Sequence, residues 1–155
     1  MDLPLTAYKT VSPHVIGYGR LCAQRVRRYD RAFPALPHQA RQARMYLASL
    51  LIDCPAADDA ILCLSELVSN CILHSASQLP GGTFTVRVEI RAGAYVLIEV
   101  RDNGGPWHRR PTGDDRPHGL TIVANLAIGA GVGGNAATGW IAWAKIDWHG
   151  ARIGP

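Results

Sequence analysis

Several kinds of segment are missing from this sequence, and each absence removes a class of protein. The cysteines Cys22, Cys54, Cys63 and Cys71 form no C-x-x-C pair, and no histidine stands at zinc-finger spacing from them. A structural zinc site is therefore not expected. No apolar run approaches the roughly 20 residues a helix needs to span a bilayer. The opening MDLPLTAYKT lacks a basic stretch followed by an apolar core, so it does not read as a secretory signal. No segment repeats. Charged residues are also scarce, at 18% of the chain. Much of the net charge of +4 gathers at Arg20, Arg25, Arg27, Arg28 and Arg31, with no series of stacking aromatics between them. A single-stranded nucleic-acid surface wants such a series. The run reads as a solvated face, and nucleic acid is not an expected partner.

What is present suits one folded domain. At 155 residues with 48% apolar content, the chain can close a hydrophobic core and is not of disordered composition. Cys63 and Cys71 fall inside an apolar helical pattern as small hydrophobes, and reduced core thiols suit a cytoplasmic protein. No membrane association is expected.

The pattern predicts a short strand over Tyr29–Pro34, then a helix opened by Pro37 and ended by Cys54-Pro55. Its apolar stripe would be Ala40, Ala43, Met45, Leu47, Leu50 and Leu51. A second helix starts at Asp58 or Asp59, either of which could cap it, and runs to about His74. After Gly81-Gly82, strict alternation puts Phe84, Val86, Val88 and Ile90 on one face of a strand. Ala92-Gly93 turns the chain, and the returning strand faces Val96, Ile98 and Val100 inward. A proline-rich, charged loop spans Gly105 to His118. A third helix begins at Gly119 or Leu120, with Leu120, Val123, Leu126 and Ala127 apolar. Gly129–Gly134 reads as a turn before a final strand, Trp140–Trp148. The predicted class is α+β: a two-layer sandwich with a mixed, mainly antiparallel sheet and helices on one face. The predicted boundaries are an extension over 1–26, one domain over 27–149 and a tail over 150–155.

Three features carry chemistry. Glu66 and Asn70 stand four residues apart in LSELVSN, so they lie on one helix face among apolar neighbours. Spacing alone leaves open that both simply face solvent. Asp102-Asn-Gly-Gly105 sits where a strand stops. A carboxylate there can accept a hydrogen bond from a ligand amino group while bare backbone closes around it, although an ordinary Asp-Asn-Gly turn reads the same way. His118-Gly-Leu120 opens a helix whose free amides and dipole favour phosphate.

Taken in this order, the three features resemble the nucleotide-binding boxes of the GHKL superfamily, the ATPases of Bergerat or histidine-kinase-like fold. More narrowly, the chain looks like the bacterial anti-sigma-factor serine/threonine kinases (the RsbW-like family). The residues carrying the resemblance are Glu66-Leu-Val-Ser-Asn70 with His74, Val100-Arg-Asp-Asn-Gly-Gly105, His118-Gly-Leu-Thr-Ile-Val123, and Gly139 with Trp143-Ala144. It runs from about Tyr29 to Trp148.

The resemblance implies ATP and Mg²⁺ as ligands. Asn70 would offer an oxygen to Mg²⁺, and Glu66 would be the catalytic base. Asp102 would accept from the adenine amino group, Gly104 and Gly105 would leave room for the base, and His118, Gly119 and Leu120 would hold phosphates. His74 would either line the pocket or serve as a structural histidine, and the loop before His118 would be a lid. The implied partners are an antagonist protein phosphorylated on Ser or Thr and a sigma factor. Relatives dimerise, which puts a homodimer among the expected assemblies. The chain departs from the family at Pro106, Pro117 and His118, where glycines are usual, and at Ile141, where relatives commonly carry Thr or Ser. Those departures motivate the alternative of a catalytically weak, nucleotide-gated protein-binding module.

Overall fold

The structure, a computed structural model, describes residues 25–105 and 119–151. In chain order its elements are β1 (Arg27–Pro34), α1 (Gln39–Leu50), α2 (Ala57–His74), a 3-10 turn (Ala76–Gln78), β2 (Thr83–Arg91), β3 (Tyr95–Arg101), α3 (Gly119–Leu126), β4 (Gly129–Asn135) and β5 (Gly139–Asp147). The alternation of β2 turns Phe84, Val86, Val88 and Ile90 inward, and the register sets Val88 against Ile98 and Ile98 against Ala144. That face meets α2, whose Leu64, Leu67, Val68 and Cys71 are buried against it. Each large side chain so buried contributes about 1.5–3 kcal/mol relative to exposure. The other face carries alternating polar residues, with ion pairs Arg28–Glu89 and Arg87–Glu99 lying on it. No helix among the described residues is long and apolar enough to cross a membrane.

The α+β sandwich is as expected, but among the described residues the sheet is wholly antiparallel rather than mixed. Its strand order is β1-β2-β3-β5-β4, and every pairing is antiparallel. Strands β3 and β4 run the same way and are joined across α3. Strand β5 inserts between them, so among the described residues no parallel pair forms.

Four local expectations change. The glycine-rich stretch is not a turn but the edge strand β4. Its glycines answer to Trp143: a Cβ at Gly131 would come within 2.9 Å of the indole Nε1, and one at Gly129 within 3.5 Å of Cζ3. The indole can lie across β4 only because both positions are bare. The true turn follows at Asn135–Gly139, where Asn135 Oδ1 accepts from the Ala137 and Thr138 amides at 2.9 Å each. In α1, Ala43 and Leu47 are fully buried but Met45 is 56% exposed, because two residues advance the helix about 200°. Helix α2 begins at Ala57 with Ala56 at its N-cap and no side-chain cap. Asp58 and Asp59 sit in its first turn and favour the positive helix end. Asp59 Oδ2 instead accepts from the Ala151 amide at 3.0 Å. Strand β1 starts two residues before the expected Tyr29, because Arg27 and Arg28 also pair with β2. The proposed extension lies almost wholly outside the described residues, as do most of the tail and the lid.

Candidate functional site

Helix α2 is apolar on most sides because it packs against α1, α3 and the sheet. Past the first turn and apart from the small Ser65 and Ser69, its mid-helix polar residues are Glu66 and Asn70. Both are half-buried, and among the described residues neither side chain has a hydrogen bond or ion pair. They do not simply face solvent. The start of α3 comes directly against Glu66: a Cβ at Gly119 would collide with Oε2 and lie 3.0 Å from Cδ. Glu66 and Asn70 thus share one side of α2, and Gly119 lies against Glu66.

Asp102 forms the other half. It follows Val100 on the helix side of β3 and is 8% exposed. Its Oδ1 accepts from the Gly104 amide at 2.7 Å and from the Trp140 amide at 2.8 Å. Among the described residues Oδ2 has no partner, so that oxygen remains able to accept from a ligand. Asp102 also lies near α2. Burial pushes the Cys71 thiol up to about 12, and the Asp102 charge adds to the rise. The chain leaving α2 is tied to the Asp102 loop directly, Ala76 N donating to Gly104 O at 2.7 Å.

Gly104 and Gly105 shape the loop itself. Gly104 has φ 78°, and a Cβ there would run into the Ala136 carbonyl and stand 3.1 Å from the Gly139 nitrogen. At Gly105, with φ 83°, a Cβ would be 2.7 Å from that of Ala76. Both glycines lie tight against the protein's own chain, Gly104 on the Ala136 carbonyl and Gly105 on Ala76, which clamps the loop. Gly104 O accepts from Ala76 N at 2.7 Å, and Gly105 N donates to Ala136 O at 2.8 Å.

Leu120 is 47% exposed and lines a groove of about 460 Å³ between α3 and β4 with Leu67, Val123 and Val132. His74 closes α2, and its side chain lies outside the described residues. So do His118, Pro106 and Pro117. Ile141 pairs with Arg101 and Gly133 on the face without helices, so it cannot reach the space beside Asp102. Trp140, one residue earlier, takes that place, and its indole Nε1 donates to Gly105 O at 3.1 Å. Sequence reasoning missed Trp140, and it also missed Ser75, Ser77 and the amide of Asn103, which tie the loop to its surroundings. The one local hint was Ser75-Ala-Ser77 immediately after a helix, a pattern that favours side-chain-to-backbone turns.

On a two-layer α+β frame, α2 thus carries an unengaged carboxylate and amide and the end of β3 a half-used carboxylate, the groups that the resemblance to nucleotide-binding boxes calls for. The match to known families agrees: the histidine kinase-like ATPase domain covers residues 33–133, well over half of the chain. The protein belongs to that family, whose members bind ATP, usually with Mg²⁺. No curated protein matches the chain.

Proposed function

We propose that this protein is an ATP- and Mg²⁺-dependent regulatory serine/threonine kinase of the anti-sigma-factor type. Its substrate would be a small antagonist protein, and it would also hold a sigma factor. The observation that carries the reading is the unengaged Glu66–Asn70 pair on α2, with Gly119 against Glu66 and the Asp102 loop bonded to the chain where it leaves that helix.

The residues present suit the ligands. Among the described residues no group of three or more His, Cys, Asp or Glu could hold a metal ion. A cation at the Asn70 oxygen would thus take its remaining ligands from phosphates and water, as Mg²⁺ does. Asp102 Oδ2 would accept from the exocyclic amino group of adenine, whereas guanine would set a carbonyl against it. The α3 amides near Gly119 would hold phosphate oxygens. ATP would bring the transferable γ-phosphoryl group and Mg²⁺ would neutralise its charge. Glu66 would take the proton of a Ser or Thr hydroxyl as its oxygen bonds to the γ-phosphorus, and the bond to the bridging oxygen would break to leave ADP.

The test incubates the full chain with labelled ATP, Mg²⁺ and candidate antagonist proteins. Label on a Ser or Thr of one antagonist, lost with Glu66→Ala, is the expected result. Tight ATP binding without transfer to any candidate would sink the kinase reading and leave the nucleotide-gated binding module. That alternative rested in part on Ile141, which faces away from the site.

A further inference from the structure

The two halves of the site stand on different elements, α2 and the end of β3, which pack on each other in the core. A chain of polar contacts also joins their ends. Ser75 Oγ donates to Cys71 O in the last turn of α2 at 2.8 Å and accepts from the Ser77 amide at 3.1 Å. Ser77 Oγ accepts from the Asn103 amide at 3.0 Å and donates to Thr83 O at 2.8 Å. Asn103 Oδ1 closes the circuit by accepting from the Thr83 amide at 2.7 Å. Ser75 and Ser77 are each 1% exposed. The chain therefore starts on the helix of Asn70 and Glu66 and ends on the residue next to Asp102.

We infer that Ser75, Ser77 and Asn103 are positioning residues that set the spacing between the base-accepting Asp102 and the Asn70–Glu66 pair. This rests on the ATP-binding reading above. Asn103 itself is exposed, and its side-chain oxygen is spent on the Thr83 amide, so its part is to hold Asp102 in register rather than to touch the nucleotide. A ligand that engages both halves at once depends on their separation, and small errors in such spacing weaken every contact together.

The experiment measures ATP affinity in Mg²⁺ by calorimetry, alongside thermal unfolding, for the full-length wild type, Asn103→Ala and Asn103→Asp. Asn103 is exposed, so both variants should fold. Expected are an affinity loss of about tenfold in Asn103→Ala and recovery to within about twofold in Asn103→Asp, which keeps the Oδ1 acceptor. Unchanged affinity in Asn103→Ala, even with a lowered unfolding temperature, makes the circuit purely structural and overturns the inference. Equal loss in both variants assigns the effect to something other than the Thr83 bond and also overturns it. Failure of the wild type to bind ATP overturns the ATP reading itself.

Discussion

Asp102 has two oxygens with two jobs, and two substitutions separate them. Asp102→Ala removes both. The Gly104 and Trp140 amides then lose a charged acceptor at 2.7 and 2.8 Å in a site only 8% exposed. Each such bond is worth about 1.5–3 kcal/mol, so the variant should lose about 3–6 kcal/mol of stability. For a chain of this size that lowers the unfolding temperature by roughly 10 °C or more. Asp102→Asn is milder, because the two amides facing Oδ1 dictate which end of the new side chain points at them. The carbonyl oxygen stays there and the fold loses only about 1 kcal/mol. The amide nitrogen is thereby forced into the Oδ2 position, where a donor now meets the adenine amino group. Lost acceptance plus an unpaired donor costs about 3 kcal/mol, or ~10²-fold in affinity. Urea unfolding and ATP calorimetry on both variants read the two numbers. Wild-type affinity in Asp102→Asn would refute the role of Oδ2. Equal stability of the two variants would refute the role of Oδ1.

Gly119→Ala should keep the fold, because the atom it meets is the end of a flexible Glu66 side chain. Displacing that carboxylate by about 1 Å should cut phosphoryl transfer ~10²-fold with a smaller change in ATP affinity, measured by labelled-phosphate transfer beside calorimetry. At Gly131→Ala the new Cβ meets Trp143 at 2.9–3.1 Å. The indole must lift, at a cost of about 1–3 kcal/mol, visible as a shift in tryptophan emission and a lower urea midpoint. Burial, with smaller contributions from nearby carboxylates, pushes the Cys63 thiol from 9.0 up to about 11, and burial chiefly pushes Cys71 up to about 12. Between pH 9 and these values the unfolded chain has released protons the folded chain retains, so stability falls as pH rises. It should hold steady up to pH 8 and drop by about 1.4 kcal/mol per unit for each thiol above pH 9; urea titrations at pH 8 and 10.5 would measure it.

The half of the site carried by α2 was legible because a helix repeats every 3.6 residues, so Glu66 and Asn70 reveal a common face without further information. Asp102 was legible because alternation in β3 ends visibly at it. The inward faces of β2 and β3 followed from the same period-two rule. Strand β4 was not legible, since glycine ordinarily signals a turn. The need for it at Gly129 and Gly131 comes from Trp143 on the neighbouring strand. Ile141 was misplaced for a related reason: one residue of register moves a side chain to the opposite face, and only the pairing with Arg101 fixes which face it takes. The Ser75–Ser77–Asn103 circuit joins residues far apart in the chain, and local pattern cannot see such pairings.

The composition of β4 also sets an order of events when the fold loosens. Four of its seven residues are glycine, which lose the most chain freedom on ordering and bring no side chain of their own. It lies at the sheet margin with a single neighbour, and its cover is lent by Trp143 and α3. Its amides should therefore be the first of the five strands to exchange with solvent. Because α3 leads straight into it through Ala127 and Ile128, any opening there slackens the helix that bears Gly119. The fold thus seats the Gly119 wall of the site on a helix whose far end runs into the least cohesive strand, and the Asp102 wall on a loop tied from three directions.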